Sequence, residues 1–293
     1  MKKQNLGWIG TGVMGRWMCR HLLDAGHQMF VYSRTRDKAS DLIEHGAVWC
    51  ESARQTAERS DIIFSIVGFP QDVEAVILGE HGALAGTRKN NIIVDMTTSS
   101  PDLAQKIAEA AGIKGVGALD APVSGGDVGA REATLAIMVG GDSGIYDRVL
   151  PLFEIMGKNI ALMGPAGMGQ HTKMANQISI ASGMIGVVEA LLYAHKAGLD
   201  LNHVIDVIGK GAAGSWSLNN LGRRIANKNF DPGFFIKHFV KDMGVALDEA
   251  HRMKIALPGL SLANQFYIAA MAQGFENLGT HGLYLVIQKI NEK

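Results

Sequence analysis

Residues 6–15 read LGWIGTGVMG, with glycine at positions 10, 12 and 15. A short apolar run precedes Gly10, and a helical pattern follows from residue 16 to residue 25. The first glycine permits a tight turn, the second lets a bound group approach the backbone, and the third lets the helix pack on the strand. Because a helix N-terminus carries partial positive charge, this stretch predicts a binding turn for the pyrophosphate of a dinucleotide.

The glycine spacing alone is weak evidence in this chain. Its 36 glycines in 293 residues are enough for about one chance match in every two such chains. Residues 209–214, GKGAAG, also match, but they follow a helical pattern at residues 201–208 and no strand pattern. The context therefore selects residues 10–15 as the cofactor turn and rejects the second match.

Apolar runs alternate with helical patterns up to residue 163, which is typical of a parallel sheet with helices on both faces. The predicted strands are residues 6–9, 28–32, 61–67, 91–95, 117–119, 135–139 and 159–163. The predicted helices between them are residues 15–25, 37–45, 73–78, 101–111 and 144–156.

The pattern changes after GPAG at residues 164–167 and is helical from there on. The predicted helices are residues 170–197, 201–208, 218–228, 236–253, 258–272 and 280–288. The expected fold class is α/β: a Rossmann-type, doubly wound sheet over residues 1–164, and an all-α domain for substrate binding and oligomerisation over residues 165–293. A long helix is expected to join the two domains.

Composition excludes several classes of function. Lysine plus arginine and aspartate plus glutamate number 28 each, so no basic surface for nucleic acid or an anionic membrane is predicted. Cys19 and Cys50 are too few for a disulfide framework, and no histidine has zinc-ligand spacing, so no metal site is predicted. The longest apolar stretch, residues 178–194, contains Glu189 and several small residues and is poor for a membrane span. A cytoplasmic protein is expected.

The segment after the second predicted strand indicates which dinucleotide binds. A chain that binds NAD is expected to carry an acidic residue about 20 residues after the glycines. This chain has Ser33, followed by Arg34, Thr35 and Arg36. Hydroxyl and guanidinium groups suit a 2′-phosphate, so NADP is the expected cofactor and NAD the alternative. The other interpretation of this segment is a solvated basic loop.

Two further motifs contain candidate site residues. Residues 120–126 read DAPVSGG, in which the Ser124 hydroxyl and the amides of Gly125 and Gly126 can form a nest for a small carboxylate. The alternative is an ordinary turn. Residues 167–177 read GMGQHTKMANQ and place Lys173 one helical turn before Gln177. The alternative for Lys173 is a lysine on an exposed helix face.

These motifs, in this order and spacing, resemble the β-hydroxyacid dehydrogenase family, which includes 3-hydroxyisobutyrate dehydrogenase and tartronate semialdehyde reductase. The resemblance also covers DMTTSSP at residues 95–101 and FFIKHFVKD at residues 234–242. It implies hydride transfer between NADP(H) and a short β-hydroxy acid, or its semialdehyde or keto acid. It also implies a small-molecule partner, and a homodimer or homotetramer is expected.

By the same resemblance, Lys173 is the general acid/base. The cofactor carries the hydride, so the protein must supply orientation and one route for a proton. The predicted substrate-binding residues are Ser124, Gly125, Gly126, Thr98, Asn176, Gln177, Phe234 and Asp242. The predicted cofactor-binding residues are Gly10, Gly12, Val13, Met14, Gly15, Ser33, Arg34, Thr35, Val67, Thr98 and Lys241. The alternatives are a catalytically silent NADP-binding scaffold and an imine reductase-like enzyme, in which another residue typically replaces the lysine.

Overall fold

The computed structural model describes residues 3–292, and the chain divides after Lys173 into two compact units. The strands are β1 (Asn5–Ile9), β2 (Gln28–Tyr32), β3 (Val48–Trp49), β4 (Ile62–Ser65), β5 (Ile92–Asp95), β6 (Gly117–Asp120), β7 (Val123–Ser124), β8 (Leu135–Gly141) and β9 (Gly157–Gly164). The helices before the long one are α1 (Gly15–Asp24), α2 (Ser40–Glu44), α3 (Ala53–Glu58), α4 (Pro70–Leu78), α5 (Ala83–Gly86), α6 (Pro101–Ile113), α7 (Gly126–Arg131) and α8 (Ser143–Met156).

The remaining helices begin with α9 (Met168–Lys196), which continues across the division. They are followed by α10 (Leu201–Ile208), α11 (Arg223–Ala226), α12 (Ile236–Met253), α13 (Pro258–Ala272) and α14 (Leu283–Ile290). A π-helical turn, Ser217–Gly222, precedes α11, and a 3-10 turn, Thr280–Gly282, precedes α14. The helix-rich second domain expected from the sequence is confirmed.

Six strands form the parallel part of the sheet, in the spatial order β3-β2-β1-β4-β5-β6. This is the strand order of a doubly wound Rossmann sheet, so the predicted fold class is confirmed. The predicted parallel sheet is mixed at one end, where β8 runs antiparallel to β6 and to β7. The connection from β6 to β8 contains β7, which pairs with β8, and the six-residue helix α7, which is shorter than the crossover that parallel strands need. β9 is again parallel to β8.

Side chains of the central strands alternate between two hydrophobic cores, as a repeat of two residues requires. Leu6 and Trp8 pack on one face with Met18 and Leu22 of α1. On the other face, Ile9, Ile63 and Ile93 pack with apolar residues of α3, α4 and α6. Both faces of the sheet are therefore covered, which explains why its strands have near-continuous apolar sequences.

The second unit has its own core around the later part of α9. Ala181, Met184, Val188 and Leu191 are buried there. Residues of α12, α13 and α14 complete the cluster, among them Phe239, Met243, Ala263, Tyr267, Val286 and Ile287. By length and composition α9 is apolar enough to cross a membrane, and 39% of its most apolar stretch of 18 residues is buried within this chain.

The sequence patterns missed five short elements. β3, β7, α3, α5 and α7 contain two, two, six, four and six residues, which is too short for a periodic pattern to develop. The domain boundary predicted after residue 164 lies at the end of β9, and the two units divide further along, within α9. The first turn of α9 packs on the sheet, since a Cβ on Gly169 would collide with the backbone oxygen of Met138.

Candidate active site

The glycine turn joins β1 to α1, and two of its three glycines, Gly10 and Gly15, have a steric reason within the chain. Gly10 has φ +99°, and a Cβ there would collide with the backbone oxygen of Ile66. A Cβ on Gly15 would collide with the backbone oxygen of Gly10, so the third glycine permits the close approach of α1. A Cβ on Gly12 would meet no atom within 4 Å in the described structure, so open space lies above the middle of the turn.

This turn fits a pyrophosphate. Val13 and Met14 directly precede α1 and Gly15 begins it, at the end of the helix where N–H groups have no intrahelical acceptor. Thr11 is buried in the same turn, and within residues 3–292 its hydroxyl oxygen has no hydrogen-bond partner. Trp8 was not predicted to contribute here, yet its indole Nε1 donates to the backbone oxygen of Gly10 at 2.9 Å. This hydrogen bond from a fully buried side chain therefore stabilises the conformation of the turn.

Ser33, Arg34 and Thr35 follow β2 at the same edge of the sheet. Arg34 is exposed, and its Nη1 lies 3.6 Å from Asp72 Oδ1 at the start of α4. The guanidinium of Arg36 instead lies over the ring of Trp49, 5.4 Å from its centroid. The two arginines consequently have different surroundings. Arg34 directly follows Ser33, and the ring contacts of residues 3–292 include none of Arg34.

Two buried aspartates end neighbouring strands at the carboxyl edge of the sheet. Asp95 ends β5 and Asp120 ends β6, and they are paired in register. Asp95 Oδ1 accepts hydrogen bonds from Ser65 Oγ at 2.9 Å and from Thr97 N at 3.1 Å. Thr97 Oγ1 in turn accepts one from the backbone N–H of Val67 at 3.0 Å. This chain of contacts fixes the position of Val67 and of the loop that contains Thr98. Val67 and Thr98 are both predicted cofactor-binding residues.

Burial acts on both carboxyl groups. Loss of hydration raises the pKa of Asp95 to about 6. Hydrogen bonds from Thr97 and Ser65 act to lower this pKa, and the nearby charge of Asp120 raises it further. Burial raises the pKa of Asp120 as well, opposed by hydrogen bonds from the backbone of Gly167 and Gln170. The charged form of each aspartate is therefore tolerated only because several donors converge on it.

Replacing Asp95 with asparagine is expected to stabilise the protein above neutral pH. The folded-state pKa of Asp95, about 6, lies above the ordinary value of 3.8, so its stabilising contribution is present at low pH and is lost as the pH rises through 6. Asparagine keeps an oxygen acceptor and removes the charge. The free energy of unfolding should rise by up to about 3 kcal/mol at about pH 8 and by roughly half as much at about pH 5. Urea unfolding measures both, and an equal gain at the two pH values would contradict the argument.

Lys173 lies in the second turn of α9 and is 6% exposed. The preceding turn is tied to the sheet, because Asp120 Oδ1 accepts from Gly167 N and Asp120 Oδ2 accepts from Gln170 N, each at 2.8 Å. The helix that carries Lys173 therefore starts at the edge where open α/β sheets bind their ligands.

Ser124, Gly125 and Gly126 lie where β7 passes into α7. Gly125 has φ +133° and Gly126 has φ +64°, conformations that side-chain-bearing residues rarely adopt. All three residues are half-buried. The structure thus places a hydroxyl and two glycine amides in succession at the start of a helix, where the sequence predicted a nest.

Four predicted residues come together in the helical unit. Gln177 of α9 accepts from Asn176 Nδ2 at 2.8 Å and donates to Asp242 Oδ2 of α12. Lys241 Nζ lies 2.7 Å from Asp242 Oδ1. Because Asp242 is fully buried, the ammonium group and the amide compensate its charge. Phe234 precedes α12, and its ring packs 5.8 Å from that of Phe239.

Sequence reasoning assigned no role to Asp95, Asp120 or Gln170. One signal could have found the aspartates: each directly follows a buried strand, and carboxyl ends of adjacent parallel strands meet at one edge. No local signal identifies Gln170, since its side-chain partners lie far away in sequence.

Known proteins resemble this chain over nearly its whole length. Residues 5–164 match the family model described as the NAD binding domain of 6-phosphogluconate dehydrogenase, and residues 167–287 match that described as NAD-binding of NADP-dependent 3-hydroxyisobutyrate dehydrogenase. A probable 3-hydroxyisobutyrate dehydrogenase-like mitochondrial protein of Arabidopsis thaliana is 52% identical, over 98% of this chain and 86% of that protein. The 2-hydroxy-3-oxopropionate reductase of Escherichia coli is 42% identical, over 97% of each chain.

A solved structure, Psf3 in complex with NADP+ and 2-OPP, has a TM-score of 0.90 at 25% identity and covers 96% of this chain and 99% of that one. The Rossmann sheet, its glycine turn and these relatives define an NAD(P)-dependent oxidoreductase of hydroxyacids. Within that class, the chain belongs to the β-hydroxyacid dehydrogenase family, as its motifs predicted.

Proposed function

We propose that the chain interconverts a short β-hydroxy acid and its semialdehyde or keto acid, with NADP(H) as the preferred cofactor and Lys173 as the general acid/base. The observation that carries this proposal is the position of Lys173. It is buried, and its helix begins at the carboxyl edge of a Rossmann sheet, one turn after contacts with Asp120. A lysine on an exposed helix face would not be 6% exposed.

The proposed chemistry divides between cofactor and protein. The nicotinamide ring, when bound, supplies or accepts the hydride. Lys173 Nζ donates a proton to the substrate carbonyl oxygen during reduction and removes the hydroxyl proton during oxidation. The glycine turn holds the pyrophosphate, and the loop with Thr98 holds the reacting groups. Val67, next to that loop through Thr97, supports the cofactor.

A carboxylate-binding role is proposed for residues 124–126. The hydroxyl of Ser124 and the N–H groups of Gly125 and Gly126 can all donate to one anionic group. The names of the relatives, 3-hydroxyisobutyrate dehydrogenase-like and 2-hydroxy-3-oxopropionate reductase, support a small carboxylic acid as the substrate. In the helical unit, Asn176, Gln177, Phe234 and Asp242 are proposed to bind substrate and Lys241 to approach the cofactor.

The change Ser124→Ala is expected to raise KM for the acid more than it weakens NADPH binding. It removes one hydrogen bond to a charged group, which contributes about 1.5–3 kcal/mol, or roughly ten- to a hundredfold in KM. Steady-state kinetics and fluorescence titration with NADPH measure the two effects. Ser143→Ala, a change of the same size at the start of α8, is the control. Equal loss of both affinities, or loss of folding, would assign the segment a structural role.

NADP preference is supported by Arg34 beside Ser33, and by the solved relative that contains NADP+.

We also propose a homodimer or homotetramer. Leu262 and Ile268 of α13 and Tyr193 of α9 are exposed apolar side chains of a kind that subunit contacts cover. A cytoplasmic location is supported by two buried free cysteines, Cys19 and Cys50. Light scattering of the purified protein tests the assembly.

The proposal is tested with a panel of short aldehyde and keto acids, following the absorbance of NADPH. At least one carboxylated substrate should be reduced, and its methyl ester should be a much poorer substrate. If the whole panel is inert while NADPH binds tightly, the catalytically silent scaffold replaces the enzyme. Turnover of cyclic imines without turnover of any acid would favour the imine reductase instead.

A further inference from the structure

We propose that Gln170 is a positioning residue that holds the helix of Lys173 in register with the loop of Thr98, and that Asp120 supports it. The inference rests on the proposed role of Lys173. The action of Gln170 on the side chains of Lys173 and Thr98 is indirect. It acts through the backbone on either side of Thr98, and through its own place on α9.

Both ends of the Gln170 amide are hydrogen-bonded, and the side chain is buried. Its Oε1 accepts a hydrogen bond from the backbone N–H of Ser99 at 2.9 Å, and its Nε2 donates to the backbone oxygen of Thr97 at 2.7 Å. The side chain has no exposed surface. One amide therefore holds the two peptide groups that flank Thr98, and only a group with one donor and one acceptor end satisfies both.

Asp120 fixes the other side of the same turn. Its carboxylate accepts from the backbone of Gly167 and of Gln170, which are N–H groups that a helix start leaves without intrahelical acceptors. A negative charge at the N-terminus of α9 also interacts favourably with the partial positive charge at that end of the helix dipole. Asp120 thus binds the start of α9 to the end of β6. The side chain of Gln170 binds the same turn to the loop after β5.

Steric contacts prevent this turn from sliding. A Cβ on Gly140 would lie 2.5 Å from Asp120 Oδ1 and 2.7 Å from the backbone nitrogen of Gly169, so α9 meets the sheet backbone to backbone. Lys173 follows Gln170 by three positions, so the two side chains are neighbours on the surface of the helix. A misplacement of about 1 Å between reacting groups can lower a rate by about a hundredfold, so the Gln170 bridge should affect turnover.

A structural crosslink alone would lower stability without changing how the rate depends on pH. The change Gln170→Glu separates the two roles. A protonated glutamic acid can donate to the oxygen of Thr97 and accept from Ser99 N–H, as glutamine does. An ionised carboxylate has no proton to donate. One of its oxygens would then face the backbone oxygen of Thr97, and the two acceptors would repel each other. Burial and the neighbouring carboxylates of Asp95 and Asp120 raise the pKa of such a group, and Lys173 on the same helix opposes them.

The experiment measures kcat of the NADPH-saturated enzyme across the pH range, together with NADPH affinity by fluorescence. In Gln170→Glu, kcat should be near the wild-type value at the acidic end. It should then fall by at least about tenfold as pH rises, along a limb that the wild type lacks, while NADPH affinity changes by less than about threefold. The change Gln170→Met removes both hydrogen bonds and should lower kcat at every pH without a new limb.

The matched control is Gln105→Glu. Gln105 is an exposed residue of α6, and its side-chain nitrogen would lie 3.2 Å from a Cβ on Gly167. The control adds the same carboxyl beside the same helix start, but not between Thr97 and Ser99. It should leave the pH profile unchanged.

Three results would overturn the inference. They are a Gln170→Glu profile that matches the wild type, a Gln170→Met variant with wild-type kcat, and a loss of kcat in Gln170→Met only in proportion to unfolding. Failure of the proposed function is distinguishable, because it is judged on Lys173→Ala. Wild-type turnover in that variant removes the lysine mechanism, whatever Gln170→Glu does. An inactive Lys173→Ala with an unchanged Gln170→Glu profile removes the positioning role alone.

Discussion

Replacing Lys173 with alanine is expected to lower kcat by at least about a hundredfold, the low end of a general acid/base contribution. NADPH binding should stay close to normal, because the glycine turn and the loop after β2 are separate from α9 in sequence and remain intact. The measurements are steady-state kcat and NADPH fluorescence titration. Partial recovery of the rate on adding a small primary amine would identify the missing group as a proton donor and acceptor.

The control is Lys196→Ala, at the exposed end of the same helix. It removes the same charge and side chain without touching the sheet edge, and it should leave kcat unchanged. A Lys173→Ala enzyme with near wild-type turnover would show that the proton takes another route. Loss of NADPH affinity in parallel with kcat would instead indicate that Lys173 supports the fold of the site.

The second large effect is on cofactor preference. The wild type should prefer NADPH to NADH in kcat/KM, and the double change Ser33→Asp with Arg34→Ala should erase or reverse that preference. A guanidinium can pair with the 2′-phosphate through two hydrogen bonds, whereas a carboxylate at position 33 repels it. Charge-assisted bonds contribute about 1.5–3 kcal/mol, so a shift of roughly ten- to a hundredfold is expected.

The surroundings of Arg34 sharpen this test. Its guanidinium lies 3.6 Å from Asp72 and is 89% exposed, so its pairing with a phosphate should weaken as salt is added. Arg36→Ala is the matched control, because that guanidinium lies over Trp49 and its loss should change the preference less. Equal use of both cofactors by the wild type, or an unchanged ratio in the double variant, would leave Arg34 without a role in selection.

Local sequence was enough for the Rossmann half of the fold. The run at residues 6–9, the glycines at 10, 12 and 15 and the following helical pattern are contiguous, and alternation of strand and helix patterns predicts crossover connections that return each strand parallel. The helical second half could be predicted for the same reason, since a repeat of 3.6 residues needs only its own segment. The family likewise followed from motifs that are each continuous in sequence.

Other features depended on residues that only folding brings together. Ser99 and Gln170 are 71 positions apart, and Gln177 and Asp242 are 65 apart. The antiparallel pairing of β6 with β8 also could not be predicted, since the two-residue strand β7 carries too few side chains for a pattern.

The sequence by itself determined the fold class and the family, and it predicted the cofactor turn and the candidate residues, because each of these depends on local spacing and residue type. The tertiary structure decided which backbone groups those residues meet, and hence the burial of Asp95 and Asp120 and the bridge made by Gln170. Hydrogen bonds and desolvation act over a few ångströms, and pairs so close in space can be any distance apart along the chain.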